Sequence, residues 1–291
     1  MPSLTIDYNS LLKLYNTSID ELNKTNEINE LKVKSDSSIE RLFYANQEFV
    51  KQLISSSNND KKDENIDLIE GNTDLIANQY EGGFKLWEGL YDIIDYLSQF
   101  KVLENYPKFE NLNVLEVIII CFFKIIIIHF FHIQLGCGSG LASIYVSKKL
   151  PKANIYLQDF NEQVIKYFTA VNVHLNHSND SEDISRFNYM FGDWSAIADD
   201  IRSYGLKFDL ILSSETLYNC DNYEKLVKVI KSSLSTNGSV YIASKSHYFG
   251  VGGGTYSFMD YLQNDGYFES DICHEIEAPL IRQILKINRK K

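Results

Sequence analysis

The stretch that decides the fold is LGCGSG, residues 135–140, which lies between an apolar run and the helix-like stretch LASIYVSKKL. A strand, a glycine-rich turn and a helix in this order form a nucleotide-binding cradle. Glycine lets the backbone turn sharply and approach a ligand where a Cβ would intrude, and the following helix offers unpaired N–H groups. The sequence therefore predicts that Gly136, Gly138 and Gly140 line a ligand site.

A second signal for the same kind of ligand is Asp159, at the end of the predicted strand NIYLQD. An acidic residue about 20 positions after the glycines accepts hydrogen bonds from ribose hydroxyls in nucleotide-binding folds, and Asp159 follows Gly140 by 19 residues. Leu141 stands where a dinucleotide fingerprint has its third glycine, which disfavours a nicotinamide cofactor. Each signal alone is also typical of an ordinary loop, but the pair predicts a ligand that contains a nucleoside.

Composition indicates a globular protein with an acidic surface. The chain has 291 residues, of which 44% are hydrophobic, enough for a sizeable core. It carries 28 Lys and Arg against 39 Asp and Glu, a net charge of −11. This charge disfavours the phosphate backbone of a nucleic acid as a partner. It favours a basic protein or peptide.

The sequence shows no pattern typical of a disulfide framework, a zinc site or an export signal. Its four cysteines lack C-x-x-C spacing. His174 and His177 share a helix face without further ligands, so we assign no metal. The N-terminus lacks a basic region followed by an apolar core, and we expect neither a secretory signal nor a transit peptide. We therefore expect a location in the cytoplasm or the nucleus, the nucleolus included.

The chain divides at a polar linker. Residues 1 to about 40 have amphipathic spacing and predict a loose helical arm, and residues 55–64, SSSNNDKKDE, read as a linker. We therefore predict an N-terminal arm and linker over residues 1–64, partly disordered or helical, and one domain over residues 65–291. In that domain Gly82 and Gly83 precede an amphipathic helix with Trp87 near its start, a residue equally suited to packing and to roofing a ligand.

Strands and helices alternate after the glycine loop, which predicts an α/β fold with a mostly parallel, doubly wound sheet. The tail, with the extended runs FESDICHEI and LIRQILKI, predicts an antiparallel terminal hairpin. The predicted strands are NLNVLE, NIYLQD, FNYMF, FDLILSS and SVYIAS, and the predicted helices after the loop cover residues 162–172, 195–204 and 222–234.

An apolar run, VIIICFFKIIIIHFFHIQ at residues 117–134, separates the predicted first strand NLNVLE from the glycine loop. Removing these 18 residues joins NVLE directly to LGCGSG. Valine codons begin with GT and one glutamine codon ends with AG, the usual intron borders, so our hypothesis is a retained intron. The alternative is a genuine insertion in which HFFHIQL supplies the strand. Hydropathy alone permits a membrane span, but its position inside a nucleotide-fold strand disfavours one.

Six stretches between residues 80 and 254 together resemble the eukaryotic protein-histidine N-methyltransferase family. They are YEGGFKLWEG, LGCGSGL, LQDFN, GDWS, LILSSETLYN and ASKSHYFGVGGG. The glycine loop with Asp159 fits any seven-strand S-adenosylmethionine-dependent methyltransferase, whereas the last two stretches are more distinctive. The resemblance implies a Rossmann-like, seven-strand class I methyltransferase sheet.

The resemblance also implies S-adenosylmethionine as the cofactor. The three glycines would surround its amino-acid moiety, Asp159 would bind the ribose, Asp193 and Trp194 would lie near the adenine, and Trp87 would help to close the pocket. The full predicted cofactor site is Trp87, Gly136, Gly138, Gly140, Asp159, Asn161, Asp193, Trp194 and Ser214.

The implied substrate is a histidine of a large-subunit ribosomal protein, a basic partner that agrees with the acidic charge of the chain. Methyl transfer needs a neutral imidazole nitrogen, and a group that accepts from the other imidazole N–H would orient it. Glu215 and Asn219 are the candidates for that catalytic role. His247, Tyr248 and Gly252 are the candidates for substrate contact, although a glycine-rich turn that only links two elements explains the same residues.

Three alternatives remain open from the sequence. The acceptor could instead be a lysine or a small molecule, since the cofactor cradle does not report the acceptor. The chain could be a non-catalytic protein with a cofactor fold, or a membrane-associated one that uses the Ile/Phe run. We expect a monomer that binds neither nucleic acid nor membrane directly.

Overall fold

The computed structural model of the chain describes residues 28–34, 38–56, 69, 80, 82–106, 130–177, 184–250 and 252–291. Two described strands form an N-terminal hairpin and seven form one sheet. The hairpin strands are β1 (Ile28–Lys34) and β2 (Ile39–Ala45). The sheet strands are β3 (Phe131–Leu135), β4 (Asn154–Asp159), β5 (Phe187–Phe191), β6 (Phe208–Ser214), β7 (Leu234–Lys245), β8 (Phe268–Ile276) and β9 (Arg282–Arg289).

The sheet has the order β5-β4-β3-β6-β7-β9-β8. Strands β3 to β7 run parallel, whereas β9 is antiparallel to both β7 and β8. This confirms the doubly wound α/β fold and the C-terminal antiparallel hairpin. The strand order reverses at β3, which pairs with β4 on one side and with β6 on the other. Such a reversal opens a crevice at the carboxyl ends of the strands, where ligands bind in open α/β sheets.

The helices that follow the glycine loop occupy the predicted stretches, with some changes at their ends. The helical stretch after β4 continues through a π-helical turn to His177, beyond the predicted end at residue 172. Strand β7 begins at Leu234 rather than at residue 239, because buried Leu234 pairs with Phe208. The helices are Gln47–Ser56, Glu88–Gln99, Leu141–Lys149, Glu162–Val164, Ala170–His177, Trp194–Ser203, Tyr223–Ser233 and Thr255–Asp265, with short 3-10 turns at Val102–Asn105 and Cys220–Asn222.

Both faces of the sheet are covered by apolar side chains. Helix Glu88–Gln99 buries Leu90, Ile93, Ile94 and Leu97, the predicted apolar face, against one side. Helices Trp194–Ser203 and Tyr223–Ser233 cover the opposite side. Because both faces are covered, the residues on both sides of the central strand β3 are buried: His132 and Gln134 as well as Ile133 and Leu135. Among the described ranges, none of the helices is both long and apolar enough to cross a bilayer.

The N-terminal region differs from the predicted helical arm. Strands β1 and β2 pair antiparallel, and Gln47–Ser56 is a helix after β2. The hairpin packs on the sheet domain, where side chains of the helix Ala170–His177 pair with the β2 backbone: Asn172 Oδ1 accepts from the Ala45 N–H at 2.8 Å, and Asn176 bonds both backbone groups of Phe43. Strand pairing thus replaces the predicted helix in residues 28–34 and 39–40, whereas residues 1–27 of the predicted arm lie outside the described residues. The predicted boundary at residue 64 lies outside the described residues and stays a prediction.

The strand that feeds the glycine loop is β3, so HFFHIQL supplies it, as in the alternative to NLNVLE. Residues 111–116, the predicted strand, lie outside the described residues. In β3, His132 is fully buried, with Nε2 2.8 Å from Ser143 Oγ, and burial lowers its pKa to about 3. Gln134 is also buried, and its Oε1 accepts from Ser143 N–H at 3.1 Å. The retained-intron hypothesis concerns the gene and stays a prediction.

Candidate active site

A cavity of about 360 Å³ lies at the carboxyl ends of the parallel strands, where the strand order reverses. Its volume is in the range of small-molecule sites. It joins residues from far apart in the sequence, and it contains most of the predicted site. The predicted residues that line it are Trp87, Gly136, Gly138, Asp159, Asp193, Trp194, Ser214, Glu215 and Tyr248.

The glycine loop has the backbone that the sequence predicts. Gly136, Gly138 and Gly140 have φ values of 61°, 49° and 73°, the left-handed region that glycine adopts without strain. A Cβ on Gly136 would lie 2.9 Å from Thr216 Cγ2, and a Cβ on Gly138 would lie 3.1 Å from the carbonyl oxygen of Gly83. Both conformation and space therefore require glycine at these two positions.

Asp159 lies at the end of β4, buried beside the glycine loop. Its Oδ2 accepts from the Gly138 N–H at 2.9 Å, and its Oδ1 accepts from the Asn161 N–H at 3.1 Å. Burial raises the pKa of Asp159 to about 6, although these backbone donors act to lower it. Each carboxylate oxygen keeps a second acceptor position, so Asp159 can still accept from a ligand hydroxyl.

Trp194 is fixed at the cavity wall by Gln158, a residue that the sequence analysis missed. Gln158 Oε1 accepts from the Trp194 Nε1–H at 2.9 Å and from the Gly136 N–H at 3.2 Å. Its Nε2 donates to the Gly192 carbonyl at 2.9 Å. Gln158 therefore ties the glycine loop to the loop after β5. The side chain lies inside NIYLQD, where the strand pattern alone gives no sign of this role.

Asp193 borders the cavity, but both of its carboxylate oxygens already bond to groups of the protein. Its Oδ1 caps the helix Trp194–Ser203 by accepting from the Ser195 N–H at 2.8 Å, and its Oδ2 lies 2.7 Å from Lys225 Nζ. Burial acts to raise the pKa of Asp193, but the Lys225 and Ser195 contacts outweigh it and the pKa is lowered. Asp193 therefore forms a charged, anchored part of the cavity wall.

Residues 82–87 close one side of the cavity. Trp87 Nε1–H donates to the Gly82 carbonyl at 3.1 Å, which folds the segment on itself. A Cβ on Gly83 would lie 2.8 Å from Val164 Cγ2 and 3.3 Å from Asp159 Oδ1. The paired glycines thus let the backbone lie directly over the cradle, and Trp87 lines the cavity as predicted.

Glu215 also lines the cavity, just after β6, and β6 lies on the other side of β3 from β4, the strand that ends in Asp159. Its backbone φ is 56°, a left-handed conformation that is uncommon outside glycine. Its Oε1 accepts from the Gly89 N–H at 3.2 Å, and its Oε2 accepts from the Tyr248 hydroxyl. Burial raises the pKa of Glu215, while the Tyr248 hydrogen bond and the charge of Lys245 act to lower it.

Five predicted site residues lie outside the cavity lining: Gly140, Asn161, Asn219, His247 and Gly252. Gly140 ends the loop and packs on Thr169, and Asn161 presents its backbone N–H to Asp159. Asn219 bridges to Gly252 and accepts from the Asp221 N–H at 2.9 Å, so its side chain serves the local turn. His247 is exposed and packs on the ring of Phe249.

Other lining residues were not assigned from the sequence. Tyr218 and Thr216 lie within SSETLYN, and Lys245 lies within ASKSHYFGVGGG, so their neighbourhood could have been found. Lys225 and Leu280 come from segments without a local signal. Within the described ranges, no cluster of three His, Cys, Asp or Glu side chains is placed to hold a metal.

Comparisons with known proteins agree with this geometry. A family model described as Lysine methyltransferase matches residues 129–264. The chain is 37% identical to "Histidine protein methyltransferase 1 homolog" of Dictyostelium discoideum, over 75% of this chain and 61% of that protein. It is 32% identical to the protein of the same name from Rattus norvegicus, over 76% of this chain and 60% of the relative.

The chain thus spans about 60% of the length of these curated relatives. These relatives carry the name of the family that the motifs in residues 80–254 resemble. The resemblance predicted from the sequence is confirmed: the chain has a Rossmann-like methyltransferase fold and is similar over three quarters of its length to the histidine protein methyltransferases.

Proposed function

We propose that this chain is an S-adenosylmethionine-dependent protein-histidine N-methyltransferase. The observation that carries the proposal is one cavity lined by the glycine loop and Asp159 together with Glu215 and Tyr248. Such a cavity holds a nucleoside-containing cofactor beside an acceptor group. The names of the relatives support histidine as the acceptor.

The residues present fit S-adenosylmethionine. Gly136 and Gly138 present bare backbone to the cavity, where the amino-acid moiety would lie, and a Cβ at either position would press on Thr216 or Gly83 in the cavity wall. Asp159 keeps free acceptor positions for ribose hydroxyls, and the half-buried Trp194 offers an apolar wall for the adenine. When bound, the cofactor supplies an electrophilic methyl group on a sulfonium.

Glu215 would act on the acceptor. An ordinary histidine has a pKa of about 6.5, so its imidazole is mostly neutral at pH 7 and needs no strong base. The Glu215 carboxylate can accept the N–H of one imidazole nitrogen and so direct the other toward the methyl group. Most of the acceleration then comes from positioning, worth up to about 7–11 kcal/mol in favourable cases.

We further propose that the substrate is a basic, large-subunit ribosomal protein. The charge of −11 favours a basic partner over a polyanion. The proposal includes a monomeric protein in the cytoplasm or nucleus that binds neither nucleic acid nor membrane directly. Incubation with labelled cofactor and unmodified large-subunit ribosomal proteins, followed by amino-acid analysis, tests it. Label in methylhistidine supports the proposal, and label in methyllysine supports the acceptor that the family description names.

Cofactor affinity is expected to fall with acidification below about pH 6, because burial raises the pKa of Asp159 to about 6. Ribose hydroxyls donate more strongly to the ionised carboxylate than to the neutral acid, so binding favours deprotonation and weakens as Asp159 takes up a proton. The loss approaches tenfold per pH unit below the pKa of the free protein. Calorimetric titration from pH 5 to pH 8 measures it. The Asp159→Asn variant should bind the cofactor weakly, with an affinity that does not change over this pH range. An equally steep decline of affinity in that variant would assign the titration to another group.

Glu215→Ala is expected to lower kcat by about 100-fold with cofactor affinity near normal, since the orienting acceptor is lost. Asn219→Ala is expected to lower the rate less, because the Asn219 side chain caps the turn at Cys220–Asn222 and lies outside the cavity lining. Single-turnover rates and calorimetry separate the two effects. A wild-type rate in Glu215→Ala would move the orienting role to another residue.

A further inference from the structure

We propose that Tyr248 is a positioning residue that holds the Glu215 carboxylate at the acceptor end of the cavity. This inference rests on the proposed function. It replaces the direct substrate contact that the sequence predicts for Tyr248. The Tyr248 hydroxyl donates to Glu215 Oε2, and both side chains line the cavity.

The hydroxyl of Tyr248 has little capacity left for a substrate. It has one proton, which it gives to Glu215. Its oxygen lies 3.2 Å from Ser244 Oγ and accepts from the Lys245 N–H at 3.4 Å. These contacts fix the ring relative to β7. Tyr248 therefore acts on the acceptor through Glu215 rather than by touching it.

Gly89 provides the second constraint on the carboxylate. Its N–H, in the first turn of the helix Glu88–Gln99, donates to Glu215 Oε1 at 3.2 Å. A Cβ on Gly89 would lie 2.9 Å from Oε1 and 3.1 Å from Glu215 Cγ. Each carboxylate oxygen is thus held by one donor and keeps one acceptor position, which is the arrangement needed to take an N–H from an acceptor in a fixed direction.

The charged groups around the pair come from three elements. Lys245 of β7 lies with Nζ 5.7 Å from the centroid of the Tyr248 ring and 3.6 Å from Glu88 Oε2. Arg282 of β9 also acts on Glu215, although its guanidinium is paired with Asp92 at 2.5 Å. Removing the Tyr248 hydroxyl leaves these charges in place and takes away one hydrogen bond that lowers the pKa of Glu215.

Tyr248→Phe is expected to lower kcat at least 10-fold, with the KM for the protein substrate and the cofactor affinity within about twofold of wild type. The acidic limb of the pH–rate profile should move to higher pH, a change that a merely structural role would not produce. Tyr256→Phe is the matched control, because the Tyr256 hydroxyl accepts from Gln283 Nε2 at 2.9 Å outside the cavity lining. It should keep wild-type kinetics.

Gly89→Ala tests the geometry without removing a functional group. Its methyl group pushes the Glu215 carboxylate aside while alanine favours the helix, so kcat should fall without a loss of thermal stability. A rise in KM alone for Tyr248→Phe, with kcat unchanged, would overturn the proposal in favour of direct substrate contact.

A thermal double-mutant cycle gives a readout that needs no substrate. The Tm losses of Tyr248→Phe and Glu215→Ala should be markedly non-additive, because each change removes the one hydrogen bond that the two side chains share. Additive losses would overturn the pairing itself. Failure of the wild-type chain to bind S-adenosylmethionine would instead refute the proposed function, and the cycle would still decide the pairing.

Discussion

Gly138→Arg is expected to abolish S-adenosylmethionine binding while the fold persists. Gly138 has a φ of 49°, and a Cβ there would lie 3.1 Å from the Gly83 carbonyl oxygen. The arginine side chain would therefore enter the cavity between the glycine loop and residues 82–87. Loss of the ribose and amino-acid contacts lowers the affinity by more than about 100-fold, given that 1.4 kcal/mol corresponds to a factor of ten.

Gly205→Arg is the matched control for this substitution. Gly205 has a φ of 64°, so arginine meets similar backbone strain there, but nothing lies within 4 Å of the added Cβ and the residue is outside the cavity lining. Calorimetry with both variants, after circular dichroism confirms the fold, separates the effects. Normal binding in Gly138→Arg would remove the main argument for the site, and equal loss in Gly205→Arg would attribute it to instability.

Much of the sheet could be predicted because its signals are local. NIYLQD, FNYMF and FDLILSS are apolar runs bounded by polar or glycine-containing turns, and each became a strand. Their parallel pairing follows from the intervening helices. The glycine loop was equally predictable, because positive φ values and close approach select the same residue at Gly136 and Gly138.

Other features depend on tertiary contacts that no local pattern contains. The β1–β2 hairpin exists through pairing with the amide side chains of Asn172 and Asn176, more than 120 residues away. Gln158 looks like an ordinary strand residue, yet it joins Gly136 to Trp194. The choice of β3 over NLNVLE could not be made from periodicity, since both segments have the composition of a buried strand.

The prediction of lining residues succeeded best for residues that stand at the carboxyl end of a strand. Asp159 and Glu215 directly follow strands whose carboxyl ends meet at the cavity. Asn219 and His247 lie only a few residues further along the chain, but the side chain of the first caps a turn and that of the second packs on Phe249. Proximity in sequence therefore did not give proximity to the cavity.

Excision of residues 117–134 is expected to make the protein more soluble and more stable. The segment contains 13 Val, Ile and Phe among its 18 residues and a single Lys, a composition typical of aggregation-prone stretches. The excised chain would bring residues 113–116 directly before Leu135, in the register that residues 131–134 occupy in β3.

The two inward-facing exchanges favour the excised chain. Val114 would take the position of His132, whose fully buried imidazole has a pKa lowered to about 3 by desolvation. Glu116 would take the position of Gln134, whose Oε1 accepts from the Ser143 N–H and hydroxyl at 3.1 and 2.9 Å. A carboxylate can accept both bonds, and it lies at the N-terminal turn of a helix, where negative charge is favoured. It gives up only the bond of 3.4 Å that Gln134 Nε2 donates to the Cys137 carbonyl.

The effect of the excision is tested with three chains: the chain as given, the excised chain, and the full-length variant His132→Val/Gln134→Glu. The third chain exchanges the strand residues but keeps the insert. The excised chain should express in soluble form, bind S-adenosylmethionine and methylate histidine. Its Tm should exceed that of the chain as given by several degrees, since 1 kcal/mol corresponds to about 2–4 °C at this size. The chain as given should be poorly soluble or weakly active, and cDNA across codons 110–140 should lack the segment. A soluble, active full chain beside an unfolded excised chain would show that the segment is a genuine structural element, because β3 then cannot be replaced by residues 113–116.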